Sequence, residues 1–370
     1  MADIVLKNVY KKFGDFTAVK DLNLEVRDKE FLVLLGPSGC GKTTTLRMIS
    51  GLELPTTGSI FLDNIDVTKF RASKRDIAFV FQLFALYPHL TTYQNIAFPL
   101  KTQGVDKATI NSEVHRIAKL LQIEHILKKK PKQLAGGDLQ RVALGRGLIR
   151  KPKAMLLDEP IGTLDAKFRE EMRTELKELH IDSGSTTVYV THDQVEAMDM
   201  GDRIAVMNQS VLQQIGEPHD VYSNPINLFV AQFIGSPGMN FLEMETAGGN
   251  GSADLTYVGD GSSIVLPDFL EQKIKAKEGS LSKITWGVRP EDVFMTSEKS
   301  ENSLRGTVFI VENMGNHKII DVQLKDGTLV RVRELPKSDF KIGDNVSIAF
   351  DMKMVRLFDT ESGDSIMYQE

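Results

Sequence analysis

At 370 residues the chain is long for one hydrophobic core, and two domains are expected. The composition, 41% hydrophobic and 26% charged, is that of an ordinary globular protein, and a net charge of -5 argues against an extended nucleic-acid surface, which needs a basic excess. A single cysteine, Cys40, excludes an intramolecular disulfide framework and fits a reducing cytosol, while the longest apolar runs fall far short of the ~20 residues of a membrane helix. The start, Met1-Ala2-Asp3-Ile4, carries no secretory signal, so any work at a membrane is expected to go through partners.

In chain order, residues 3–35 alternate apolar and polar positions in short pieces (Ile4, Leu6, Val9; Leu22, Leu24, Val26), which predicts antiparallel strands. From 30 to about 205, apolar strands at 31–35, 77–81, 154–157, 187–191 and 203–207 alternate with helical stretches, the pattern of a largely parallel sheet covered by helices. Val114, Ile117, Leu120 and Leu121 give 112–127 a helical spacing, with Lys128-Lys129-Lys130 read as its solvated end. A domain boundary is placed at 235/236 beside Pro237-Gly238, and 248–252 reads as loop. Beyond it, strands at 306–311, 319–324, 329–333 and 346–351, with a hairpin turn at Lys325-Asp326-Gly327, predict a small β-barrel or sandwich.

The strongest chemical motif is Gly36-Pro37-Ser38-Gly39-Cys40-Gly41-Lys42-Thr43, which follows an apolar strand and opens the helical segment from Thr44 to Ser50. Its glycines let the backbone approach phosphates, loop amides and the helix N-terminus attract the anion, Lys42 reaches the outer phosphates and Thr43 offers a hydroxyl to magnesium. Cys40, inside that loop, is expected to have a lowered pKa, so that a bulky thiol reagent blocks nucleotide binding. Asp158 and Glu159 end the strand Ala154-Met155-Leu156-Leu157, where open α/β sheets bind ligands. Asp158 is placed for a magnesium shell and Glu159 for polarising the attacking water, although a strand-end acid pair can also merely cap the following turn. His192 and Gln82 end strands in the same manner, one as a γ-phosphate sensor and the other as an amide for metal or water. A lone histidine is more often structural, and Phe13, a candidate for stacking on a base, is by default a core aromatic.

Gly36–Thr43, Gln82, Leu134–Arg141, Leu156–Pro160, Gly162-Thr163-Leu164-Asp165 and His192 resemble, in order and spacing, the ATPase subunits of ABC transporters over about residues 1–235. Phe81–Leu90, Thr191–Met198, Phe233–Phe241 and Trp286–Asp292 are similar to the maltose-type carbohydrate importers, with relatives for glycerol phosphate and polyols. The resemblance implies an α/β P-loop ATPase domain with a mixed sheet and a helical subdomain at about 88–150. A small all-β regulatory domain of oligonucleotide-binding-like barrel type would follow at 236–370, a topology that does not imply nucleic acid. It further implies a nucleotide-sandwich dimer on the cytoplasmic face of the inner membrane, energising a binding-protein-dependent importer with ATP and Mg2+. Phe13 would stack on adenine, Gly36 through Thr44 would hold phosphates, and Thr43, Gln82 and Asp158 would hold the metal. Glu159, His192 and Gln82 would be catalytic, and Ala135, Gly136, Gly137, Asp138 and Asp165 would complete nucleotide sites. Two permease subunits would dock near Ala85, Leu86 and Tyr87, whose other reading is packing of the helical subdomain, and an extracytoplasmic solute-binding protein would act through them.

The sequence departs from the family's Leu-Ser-Gly-Gly-Gln at Ala135 and Asp138, and from its usual serine at Gly162. Loss of a hydroxyl bond to the γ-phosphate at Ala135 is worth ~1.5–3 kcal/mol. Asp138 returns only ~0.3–1 kcal/mol through the helix dipole. A heterodimer with a partner that supplies a complete signature is favoured over a homodimer with two slower sites. About 90 residues separate the phosphate loop from the signature, without heptads, which excludes the coiled-coil chromosome ATPases. A nucleotide-gated interaction subunit with weak hydrolysis, or an importer for a non-sugar solute, is the alternative.

Overall fold

The computed structural model describes residues 3–162, 166–246, 254–276, 283–298 and 302–368. The loop reading at 248–252 and the site residue Asp165 lie outside the described residues. The chain divides into two compact units, Met1–Pro218 and His219–Glu370.

In the first unit, β1 (Ile4–Phe13) and β2 (Phe16–Val26) form an antiparallel hairpin, and β3 (Phe31–Leu35) runs through the interior with every residue buried. Helix α1 (Lys42–Ser50) follows the phosphate loop; β4 (Thr57–Leu62) and β5 (Ile65–Asp66) extend the hairpin into a sheet of order β2-β1-β4-β5. The second sheet takes β6 (Ile77–Val80), β7 (Ala154–Asp158), β8 (Thr186–Thr191), β9 (Arg203–Asn208) and β10 (Val211–Gly216) in the order β10-β9-β3-β8-β7-β6. All its pairings are parallel except β9 with β10. Ile4, Leu6, Leu22 and Leu24 of the antiparallel sheet pack with Leu46, Leu156 and Val188 in one core, so α1 lies between two apolar faces.

Between β6 and β7 the chain forms α2 (Thr92–Thr102), α3 (Lys107–Leu120) and α4 (Gly136–Leu148). A capping box at Thr91 and Gln94 starts α2, and the Asp106 carboxylate, accepting from Thr109 N–H, starts α3. A Cβ on Gly145 would lie 2.9 Å from Leu121 Cδ1 and 3.0 Å from Ile117 Cγ2, so the glycine permits the close approach of α3 and α4. The Lys128-Lys129-Lys130 run is exposed but follows a 3-10 turn at Glu124–Ile126. It does not close the long helix that the spacing predicted, because α3 ends at Leu120. Helix α5 (Ala166–Ser183) precedes β8 and α6 (Gln194–Met200) follows it.

The second unit opens with two short helices, α7 (Pro218–Ser223) and α8 (Leu228–Phe233). One antiparallel sheet joins β11 (Asn240–Thr246), β12 (Asp254–Tyr257), β13 (Ser263–Val265), β14 (Lys283–Val288) and β20 (Arg356–Asp359), in the order β13-β12-β11-β14-β20. The other joins β15 (Val293–Thr296), β16 (Leu304–Asn313), β17 (Lys318–Leu324), β18 (Leu329–Glu334) and β19 (Asn345–Phe350), in the order β15-β19-β16-β17-β18. Trp286, fully buried, meets Phe350 edge-on at 5.7 Å between the two sheets. The turn expected at Lys325-Asp326-Gly327 connects β17 to β18, closed by Gly327 N–H donating to Leu324 O.

Candidate functional site

The carboxyl ends of β3, β6, β7 and β8 build the site. After β3 the chain turns through Gly36, where a Cβ would stand 2.2 Å from Met207 O, and through Gly41 at φ 104, so neither position accepts a larger residue without displacing backbone. Lys42, almost fully buried, donates from Nζ to Gly36 O at 2.7 Å and Pro37 O at 2.9 Å, which holds its ammonium against the loop. The Cys40 expectation is overturned. Its thiol is 3% exposed, and burial pushes its pKa up in spite of Lys42, whose nearby charge pulls it down.

Thr43 Oγ1 donates to Asp158 Oδ1 at 2.9 Å. Burial raises the Asp158 carboxyl above the usual range, the Thr43 bond opposes this, and the Glu159 charge adds to it. Arg75, 1% exposed, supports α1 from behind by donating to Met48 O and Ile49 O in its last turn.

Three of the predicted residues come together. Glu159 takes a left-handed backbone (φ 44), its N–H donating to Val190 O at 3.0 Å. Its carboxylate accepts from Gln82 Nε2 at 3.2 Å through one oxygen and lies 3.2 Å from His192 Nδ1 through the other. The register explains the meeting: Val80 pairs with Leu157 and Leu157 with Tyr189, so Gln82 and Glu159 each stand two residues beyond a shared level. Gln82 thus contacts Glu159 and has no bond to Asp158. A Cβ on Gly162 would come no closer than 3.8 Å to Glu159, so a serine fits there.

Phe13 and the signature segment stand apart from this cluster, with no hydrogen bond to it among the described residues. Phe13 is 47% exposed, with Lys11 Nζ 4.6 Å from its ring centroid, and is therefore not the core aromatic of the default reading. Ala135 is the N-cap of α4 without a side-chain bond, Gly136 and Gly137 form the first turn and Asp138 is its acidic residue. Arg141 is bidentate to Glu175 at 3.1 and 2.7 Å, and that bond, with the Asp138 charge adding to it, holds the guanidinium pKa above its ordinary value.

The segment around Ala85, Leu86 and Tyr87 edges a cavity of about 290 Å³ lined by Phe79, Tyr87, Phe98 and Arg146. Two side chains that sequence reasoning missed pin it. Arg146 donates to Ala85 O at 2.7 Å and Phe84 O at 3.1 Å, both residues having positive φ. Asn95, fully buried, accepts from Tyr87 N–H and donates back to Tyr87 O. An arginine and an asparagine on helices otherwise facing a core were the available signals. A larger cavity of about 490 Å³, with Lys29, Pro152 and Ser185 in its wall, lies at the amino ends of β3, β7 and β8, away from the chemistry.

Residues 19–162 match the ABC transporter family, 235–293 the MalK OB fold domain and 286–358 the TOBE domain. The chain is 48% identical to the trehalose/maltose import ATP-binding protein MalK of Thermococcus litoralis, over 99% of this chain and 100% of that protein. It is 45% identical to the osmoprotective compounds uptake ATP-binding protein GgtA of Synechocystis, over 98% of each. It is 43% identical to the xylose/arabinose import ATP-binding protein XacK of Haloferax volcanii, over 100% of this chain and 97% of that one. Among solved structures, it is similar to a dimeric ATP-binding cassette in a post-hydrolysis state bound to ADP and phosphate, with TM-score 0.53 and 34% identity over 58% of this chain and 98% of that one.

Proposed function

The chain belongs to the ABC transporter family as an import-type ATPase subunit whose hydrolysis is coupled to transport, and on that premise we propose how its residues divide the work. The observation that carries the reading is the Glu159 carboxylate held between Gln82 and His192. Glu159 acts as general base, taking a proton from the water that attacks the γ-phosphate of ATP. His192 holds that carboxylate through Nδ1 and turns its exposed ring toward the transferred phosphoryl group. Gln82, bonded to the same carboxylate, reports the state of the site to the segment pinned by Arg146 and Asn95. Lys42 and the amides of Gly36 through Thr44 bind phosphates.

Thr43 and Asp158 fit a magnesium ion, because they present hard oxygen donors 2.9 Å apart beside the phosphate loop. An ion that keeps several waters needs only one or two protein oxygens beside the phosphates, and Gln82 stays with Glu159 as a more distant ligand. When bound, magnesium neutralises phosphate charge. Phe13, half exposed at the end of β1, stacks on adenine.

ATPases of this family work as dimers with membrane permeases and a binding protein. We place the chain at the cytoplasmic face of the membrane, with Ala85, Leu86 and Tyr87 receiving the permease. Ala135, Gly136, Gly137, Asp138 and Asp165 complete the partner subunit's nucleotide site, and the missing hydroxyl at Ala135 favours a heterodimer whose other subunit carries a full signature. The Phe13–Thr43 half of the site belongs to residues 1–235, and the β-rich remainder is regulatory. The solute is a carbohydrate or related compatible solute, in keeping with the relatives named for trehalose and maltose, osmoprotective compounds, and xylose and arabinose.

Uptake and ATP hydrolysis in vesicles that contain the chain with its permease test this reading. Glu159→Gln is expected to abolish hydrolysis while ATP binding persists. Hydrolysis at the original rate in that variant sinks the assignment, and full turnover by the isolated chain, unchanged by Ala135→Ser, sinks the heterodimer.

A further inference from the structure

Glu196 has no part in the chemistry described so far, yet it is a carboxylate only 2% exposed. Tyr189 Oη and Thr191 Oγ1 both donate to its Oε2, at 2.8 and 2.6 Å. Burial raises its carboxyl pKa against these two donors. A well-packed apolar side chain at such a position generally serves stability at least as well as a buried carboxylate does, so stability alone does not account for it.

Its bonds surround one residue. Tyr189 and Thr191 alternate along β8 with Val190, whose carbonyl accepts from Glu159 N–H. Thr191 Oγ1 also accepts from Asp193 N–H at 2.9 Å, and Asp193 in turn caps α6 by accepting from Val195 and Glu196 N–H groups. His192 sits between Thr191 and Asp193, 56% exposed, with no bond of its own to Glu196 and with Nδ1 3.2 Å from Glu159. The chain on both sides of the imidazole is therefore fixed through the Thr191 hydroxyl, and that hydroxyl is fixed by Glu196.

We propose that Glu196 is the positioning residue for His192: through Thr191 and Tyr189 it locks the end of β8, and with it the reach of the imidazole to Glu159. The proposal rests on the reading of His192 as part of the hydrolytic site. It places the control of turnover on a buried residue four positions beyond the histidine, reached only through the turn between β8 and α6.

The test measures ATP turnover of the full chain assembled with its permease. Glu196→Leu is expected to lower kcat by about 10-fold or more, since small displacements of catalytic groups cost up to ~10²-fold, with KM for ATP changed by less than about 2-fold. Glu196→Gln keeps an acceptor oxygen for both hydroxyls and is expected to stay within about 3-fold of the original kcat, a rescue that separates acceptor geometry from charge. In a His192→Ala background, adding Glu196→Leu is expected to cost nothing further. If Glu196→Leu does not fold, Thr191→Val removes the relay hydroxyl at nearly constant volume and is expected to lower kcat with the same dependence on His192. Original turnover in Glu196→Leu or Thr191→Val, or an equal loss with and without His192, overturns the inference. Full turnover in His192→Ala alone overturns the reading of the site on which it rests.

Discussion

Replacing Ala135 with serine puts a hydroxyl at the N-cap of α4, where the backbone already has the extended geometry of a cap (φ -76, ψ 166) and no side chain accepts from the first turn. In the subunit by itself the hydroxyl accepts from the N–H of Asp138 three residues on, worth about 1 kcal/mol. That gain corresponds to a rise in Tm of about 2–4 °C for a domain of this size. In a closed dimer the same hydroxyl bonds the γ-phosphate opposite, a bond to a charged group worth ~1.5–3 kcal/mol. The cap uses the hydroxyl oxygen as acceptor and the phosphate bond uses its hydrogen as donor, so the two coexist and the gain in the closed dimer is ~1.5–3 kcal/mol, or roughly 10- to 160-fold in turnover at RT of about 0.59 kcal/mol. The assay pairs thermal unfolding of the isolated chain with its steady-state ATP hydrolysis. A higher Tm with unchanged turnover refutes the contact with phosphate, and higher turnover with unchanged Tm refutes the capping argument.

Other outcomes follow from side chains away from the nucleotide. Cys40, with its thiol buried and its pKa raised, is expected to react with a bulky maleimide at least ~10-fold more slowly than a free thiol at pH 7.5, by mass spectrometry; fast labelling contradicts the burial. Arg146→Ala removes both guanidinium bonds to the Phe84–Ala85 segment and is expected to reduce permease-stimulated hydrolysis while basal hydrolysis stays within about 2-fold, measured with and without permease. Asp292, its carboxyl pushed up to about 6 by burial and by the Glu291 and Asp351 charges, binds protons more tightly folded than unfolded. Stability of the second unit therefore falls as pH rises from about 4 through 6, by ~1–2 kcal/mol after discounting for partial exposure. Asp292→Asn is expected to raise its Tm at pH 7.5 and leave it unchanged at pH 4, by calorimetry.

What could be read along the chain was what local backbone chemistry dictates. The glycines of 36–41 between an apolar strand and a helix specify a phosphate loop whatever surrounds them, because close backbone approach and free helix amides need no distant partner. The strands expected at 31–35, 77–81, 154–157, 187–191 and 203–207 meet β3, β6, β7, β8 and β9 to within a residue at either end, because strands buried on both faces of a parallel sheet are predominantly apolar. Local position misled where burial decides: a place inside the phosphate loop promised an acidic thiol, but burial of Cys40, which tertiary packing sets, raises its pKa instead. Arg146 and Asn95 left only the signal of polar side chains on helices that otherwise face a core, because their partners are backbone carbonyls and amides, which carry no sequence signature.

By itself, then, the sequence determined the family and the nucleotide-binding motifs that mark it, since those depend on short contiguous segments. Only the tertiary structure decided that Gln82, Glu159 and His192 share one carboxylate, that Glu196 accepts from Tyr189 and Thr191 beside the turn holding His192, and that Cys40 is shielded. Each of these depends on which strands are neighbours and in what register, which is set by the long-range packing of β6, β7 and β8, side by side in the sheet although long helical segments separate them in the chain.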